Sequence, residues 1–96
     1  MELLVAYDVA TDTKEGRRRL RRVATICVAY GQRVQKSVFE CVLTEKQVER
    51  FTYNLLREIE PSEDSLRVYR LREPRAQYTQ VFGIDPPAGF DGPLIA

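Results

Sequence analysis

Histidine and tryptophan are absent from the 96 residues, cysteine occurs twice and methionine once. Without histidine, Ser-His-Asp and Cys-His nucleophilic machinery is excluded, and so is acid and base catalysis by a histidine pair. Any catalysis must then use carboxylates, a metal ion or both. Cys27 and Cys41 show no Cys-x-x-Cys spacing and have no histidine to complete a zinc site, so they read as buried free thiols that pack as small hydrophobes. No apolar run approaches the roughly 20 residues of a membrane helix, and the start Met-Glu-Leu-Leu lacks the layout of a signal peptide. The expectation is a cytoplasmic protein. No internal repeat, Gly-rich phosphate loop or dinucleotide fingerprint is visible, which speaks against a small-molecule sensor.

What the chain does have is charge, and the charge is segregated. Net charge is only +1, yet Lys14 to Lys36 holds eight basic residues and one acid, whereas Ser37 to Leu66 holds three basic residues and seven acids. Twelve of the fifteen basic residues are arginine, whose planar fork suits bidentate phosphate contacts better than a lysine ammonium does. A polyanion is the natural partner for such a surface.

Four segments carry a clear period. Leu3 to Val9 alternates with apolar residues on both faces and reads as an interior strand, with Asp8 at its C-terminal end. A carboxylate there is placed for chemistry, or it accepts backbone N–H bonds at the strand-to-helix turn; both readings stand. From about Lys14 to Tyr30, Leu20, Val23, Ala24, Cys27 and Val28 give the spacing of an amphipathic helix. Arg17, Arg18, Arg19, Arg21 and Arg22 crowd its first turns, where the helix dipole disfavours cations. Either an external anion or simple solvation explains them. Thr44-Glu45-Lys46-Gln47 matches a capping box, and Val48, Phe51, Leu55 and Ile59 then form a second helical stripe that ends before Pro61. Ser65 to Leu71 is a strand, with Arg67, Arg70, Arg72 and Arg75 extending the positive charge or discouraging edge aggregation.

Between the helices, Gly31 to Cys41 reads as one strand that begins after a C′ glycine. Arg33, Gln35, Lys36 and Ser37 form a polar cluster at its entrance, either a hydrated strand end or a set of donors for a phosphate. Phe39 stacks on a base or fills the core. A shorter strand is expected at Thr79 to Ile84, and the Pro- and Gly-rich residues 85–96 form a tail. The order strand, helix, strand, helix, strand, strand suits an α+β fold: a ferredoxin-like βαββαβ sandwich over residues 1–84 with a four-stranded antiparallel sheet, plus a short C-terminal strand or tail at a dimer interface. Helices on one face leave the other bare, so a homodimer is expected, and its two-fold axis could bring two Asp8 carboxylates around one Mg²⁺.

Leu4-Val5-Ala6-Tyr7-Asp8-Val9, the arginine-rich helix from Arg17, Gly31-Gln32-Arg33-Val34-Gln35-Lys36-Ser37-Val38-Phe39-Glu40 and Asp64-Ser65-Leu66-Arg67-Val68-Tyr69 closely resemble the small CRISPR-associated adaptation protein of the second Cas family. The match spans about residues 3 to 84. The resemblance implies a ferredoxin-like homodimer that works with the CRISPR integrase, the first Cas protein, in capturing and inserting spacers. It also implies a metal-dependent endonuclease acting on single-stranded RNA or duplex DNA, with endoribonuclease activity expected here. Asp8 would be the catalytic residue and magnesium ligand, and Tyr7, Arg17, Arg18, Arg19, Arg33, Ser37 and Phe39 the nucleic-acid-binding set. The alternative is a non-catalytic DNA-binding adaptor bridging integrase dimers, in which Asp8 is structural.

Overall fold

A computed structural model of the chain describes residues 1–84. The elements run β1 (Glu2–Asp8), α1 (Lys14–Tyr30), β2 (Gln32–Gln35), β3 (Val38–Val42), α2 (Glu45–Glu58) and β4 (Ser65–Arg70), followed by a 3₁₀ turn at Arg75–Tyr78. The sheet order is β2-β3-β1-β4, and every neighbouring pair is antiparallel. Helix α1 carries the chain from β1 to β2 past β3, and α2 carries it from β3 to β4 past β1. These two split crossovers are the ferredoxin-like arrangement, as expected from the sequence.

Alternation in β1 divides the sheet into a covered and an open face. Leu3, Val5 and Tyr7 point to the helices and join Val23, Cys27, Phe39, Cys41, Phe51 and Leu55 in the buried core. Leu4, Ala6 and Asp8 point the other way. Their partners are Glu40 and Tyr69 for Leu4, Val38 and Arg67 for Ala6, and Ser65 for Asp8. Both cysteines are free and buried, as expected. Thr13 caps α1 by accepting from Gly16 N–H at 3.0 Å, and the Thr44 capping box is complete, with Thr44 N–H donating to Gln47 Oε1 at 2.9 Å and Gln47 N–H to Thr44 Oγ1 at 3.2 Å.

Three sequence expectations need correction. Gly31 to Cys41 is not one strand but a hairpin, in which Lys36 and Ser37 form the turn between β2 and β3. The register shifts between Arg33 and Gln35, and this irregularity breaks the alternation that would have marked the end of β2. Gly31 does end α1, but with φ −153°, in extended backbone and not the left-handed conformation of a C′ glycine. Its lack of a side chain matters because a Cβ would collide with Cys41 Sγ and lie 2.6 Å from the Glu40 carbonyl oxygen. The strand expected at Thr79 to Ile84 is not formed: these residues have no regular structure, and Phe82 and Ile84 are 84 % and 98 % exposed. The fourth strand of the sheet comes instead from the splitting of the central stretch. The tail at 85–96 lies outside the described residues.

Candidate functional site

One end of the sheet collects most of the residues singled out by sequence. Asp8 closes β1 there, exposed on the open face opposite Ser65. The loop that follows leads into α1, and Arg17 Nη1 donates to the Thr11 carbonyl at 3.2 Å, so the arginine-rich turn is tied to the loop beyond Asp8. The β2–β3 turn lies alongside, because Tyr7 N–H donates to the Ser37 carbonyl at 3.1 Å. Arg17, Arg18 and Lys36 are exposed at this end. An exposed carboxylate and exposed guanidinium and ammonium groups at one end of the sheet suit a phosphodiester that must be held and then attacked.

Tyr7 and Asp8 are neighbours in sequence but lie on opposite faces. Tyr7 points inward, where its ring stacks against Phe39 with centroids 6.2 Å apart. The Arg33 guanidinium carbon lies 5.1 Å from the Phe39 ring centre, a cation–π contact. Burial pushes the Tyr7 phenol up, nearby Cys27 adds to the rise, and hydrogen bonds to Arg33 and Ser37 offset only part of it. Tyr7, Arg33, Ser37 and Phe39 are therefore one cluster, built around the end of β1. Arg33 Nε is buried within it and has no hydrogen-bond partner among the described residues. Phe39 has no exposed surface, with Arg33 over its ring, and so presents no face on which a base could stack; it fills the core.

The helix arginines differ in their surroundings. Arg18, Arg21 and Arg22 line a groove between α1 and the end of α2, with Glu58 on its other side, and Arg22 Nη1 is 3.6 Å from Glu58 Oε1. Arg19 turns inward. Its Nε donates to Asp64 Oδ2 at 2.8 Å and its Nη2 to Asp64 Oδ1 at 3.2 Å, a bidentate pair. A phosphate would have to compete with that carboxylate for two of its five N–H groups.

Asp64 was missed as a site residue in the sequence, because its main partner lies 45 positions away and no local pattern announces it. Burial alone would push its carboxyl up; the Arg19 fork and the N–H groups of Glu60 and Ala10 outweigh that and hold it below the usual carboxylate value. A second unforeseen pair lies on the open face at the far end of β1. Arg75 donates from Nη1 to Glu2 Oε1 at 2.7 Å and from Nε to Glu40 Oε1 at 3.2 Å, pinning the segment after β4.

No group of three or more metal-ligating side chains occurs among the described residues. Asp8 is a hard oxygen donor of the kind Mg²⁺ takes, and one chain supplies one such carboxylate at this end of the sheet. Among the described residues no helix is long and apolar enough to cross a membrane.

Comparison with known proteins places this arrangement. The family model for the CRISPR associated protein Cas2 matches residues 1–79. A Moorella thermoacetica protein named CRISPR-associated endoribonuclease Cas2 1 is 50 % identical over 95 residues, covering 99 % of both chains. A Halalkalibacterium halodurans protein named CRISPR-associated endonuclease Cas2 is 41 % identical over the same length, again covering 99 % of both. The crystal structure of Streptococcus pyogenes Cas2 at pH 6.5 superposes with a TM-score of 0.77 at 44 % identity, covering 86 % of this chain and all of that one. This chain belongs to the Cas2 family of CRISPR-associated proteins.

Proposed function

We propose that this protein is a CRISPR-associated endonuclease that cleaves phosphodiester bonds in single-stranded RNA or duplex DNA with Asp8 at the reacting centre. The observation that carries the reading is the placement of Asp8, exposed at the end of β1, whose following loop leads into the arginine-rich start of α1. Relatives named endoribonuclease and endonuclease support the reaction class.

Asp8 from each of two copies would hold Mg²⁺. When bound, the ion lowers the pKa of a coordinated water and offsets charge building on the phosphate. Asp8 acts as ligand and not as proton shuttle, and with no histidine in the chain no imidazole takes that part. Arg17 and Arg18 hold backbone phosphates from the exposed first turns of α1, and Arg33, braced on Phe39, shapes the wall beneath. The second copy is recruited through the open face, where Leu4, Ala6, Val38 and the 43 % exposed Tyr69 offer apolar surface. Such a homodimer, with basic residues on both α1 helices, is also suited to work with the CRISPR integrase in spacer capture.

The deciding experiment is cleavage of labelled single-stranded RNA and duplex DNA, with and without Mg²⁺, by wild type and Asp8→Asn. Metal-dependent cleavage that vanishes in Asp8→Asn is expected. If the wild type cuts neither substrate, or the variant cuts equally well, the catalytic reading falls and a nucleic-acid-binding adaptor with a structural Asp8 takes its place.

A further inference from the structure

Asp64 is the residue before β4, and its side chain has no exposed surface, while that of Arg19 is 17 % exposed. Oδ1 accepts from Ala10 N–H at 3.1 Å and from Arg19 Nη2 at 3.2 Å. Oδ2 accepts from Arg19 Nε at 2.8 Å and from Glu60 N–H at 2.8 Å. Four bonds on one carboxylate thus join three segments: the loop after β1, the early turns of α1 and the turn that leads into β4.

Asp8 lies at the meeting point of those segments. Ala10 is two residues beyond it, and Ser65, the residue after Asp64, is its partner across the sheet. Both strands that frame Asp8 are therefore fastened to the same carboxylate. Turning the Arg19 fork outward to a phosphate would leave Asp64 buried, charged and short of two donors, a heavy penalty against a single exposed phosphate contact.

We propose that Asp64 and Arg19 form a latch that positions Asp8, and that Arg19 acts in cleavage through this latch and not as a phosphate contact. Asp64 is on this account a positioning residue. The cleavage part of the proposal rests on the nuclease reading above; the geometric part does not.

The test uses the full chain, labelled single-stranded RNA, and the variants Arg17→Ala, Arg19→Ala, Asp64→Asn and the Arg19→Ala/Asp64→Asn double. Removing a phosphate contact lowers the slope of log affinity against log salt by about 0.7 for a single strand, and that is expected of Arg17→Ala. Arg19→Ala is expected to leave the slope unchanged. Its kcat should fall about 100-fold, the scale of a misplacement near 1 Å, with KM within twofold of wild type. Asp64→Asn should do the same, the double variant should be no worse than the worse single, and amide exchange at Ala10 should quicken in all three. A slope lowered in Arg19→Ala as in Arg17→Ala, or additive losses in the double variant, overturns the latch. If the wild type cleaves nothing, the nuclease reading fails separately, and slope and Ala10 exchange decide: an unchanged slope with faster exchange upholds the latch, and any other result overturns it. Should Asp64→Asn not fold, Arg19→Gln, which leaves the carboxylate and its two backbone partners in place, carries the same comparison.

Discussion

Asp8 and Ser65 face each other across β1 and β4, both exposed on the side of the sheet that the helices leave open. Among the described residues no hydrogen bond or ion pair ties the Asp8 carboxylate to the fold. Asp8→Asn keeps the size of the side chain and is expected to change stability by no more than about 0.5 kcal/mol, the range of exposed substitutions away from packed features. Thermal unfolding followed by circular dichroism checks this. A clear drop in the midpoint would make Asp8 a structural residue, and a loss of cleavage in the same variant would no longer isolate its chemistry.

Phe39 tests the difference between a core side chain and a base-stacking one. Its ring is fully buried, stacked on Tyr7 and covered by Arg33. Phe39→Ala is expected to cost about 3 to 5 kcal/mol, as large truncations in a packed core do. The milder Phe39→Leu should lose part of that stability while its RNA affinity stays at the wild-type value. Urea unfolding and a binding titration on the same samples separate the two properties. Reduced affinity with unchanged stability would show that a base does reach the ring.

Phe39 also shows where sequence reading stops. The period-2 run of β1, the two amphipathic helices, the Thr44 capping box and the β4 strand follow from local patterns, so a sheet covered by two helices was legible. The hairpin was not, because Lys36-Ser37 lacks the Asn-Gly or Asp-Gly pair of a tight turn and the irregularity at Arg33 to Gln35 disturbs the alternation. The apolar residues of Thr79 to Ile84 carry strand propensity, but no described segment pairs with them. Asp8, Arg17 and Arg18 were legible as an acid and a basic cluster. The inward turn of Arg19 and the burial of Asp64 were not, since composition cannot distinguish an arginine facing a phosphate from one facing a carboxylate 45 positions away.

Gly16 sets how closely α1 approaches the loop beyond Asp8. It is buried, and a Cβ there would collide with the Ala10 carbonyl oxygen and lie 3.3 Å from Thr13 Oγ1. Alanine favours helices over glycine by about 1 kcal/mol, but here the contact is with backbone, which yields little. Gly16→Ala is expected to be net destabilising by about 1 to 3 kcal/mol, the range of overpacking. Denaturant midpoints measure it. Increased stability would mean that the loop can shift away freely, and with it the support of Asp8.

The buried thiols make stability depend on alkaline pH. Burial pushes Cys27 up to about 12, with Cys41 adding and Arg33 opposing; burial pushes Cys41 up to about 11, against Arg75 and with Glu40. In an open chain a thiol titrates near about 8.5. Above that value the unfolded state loses its thiol protons while the folded state keeps them, so folding stability falls as pH rises. The contribution is complete below about 8.5, and it declines by at most about 1.4 kcal/mol per pH unit for each thiol until the folded-state values are reached. Urea midpoints between pH 8 and 10.5 should therefore fall more steeply for wild type than for Cys27→Ala/Cys41→Ala. A residual slope is expected from Tyr7, whose phenol is also raised by burial next to Cys27. The same burial keeps both thiols silent to a disulfide reagent at pH 8 until the chain unfolds, because the thiolate is the attacking species. Equal slopes in wild type and the double variant, or rapid labelling of the folded protein, would place the cysteines in contact with water.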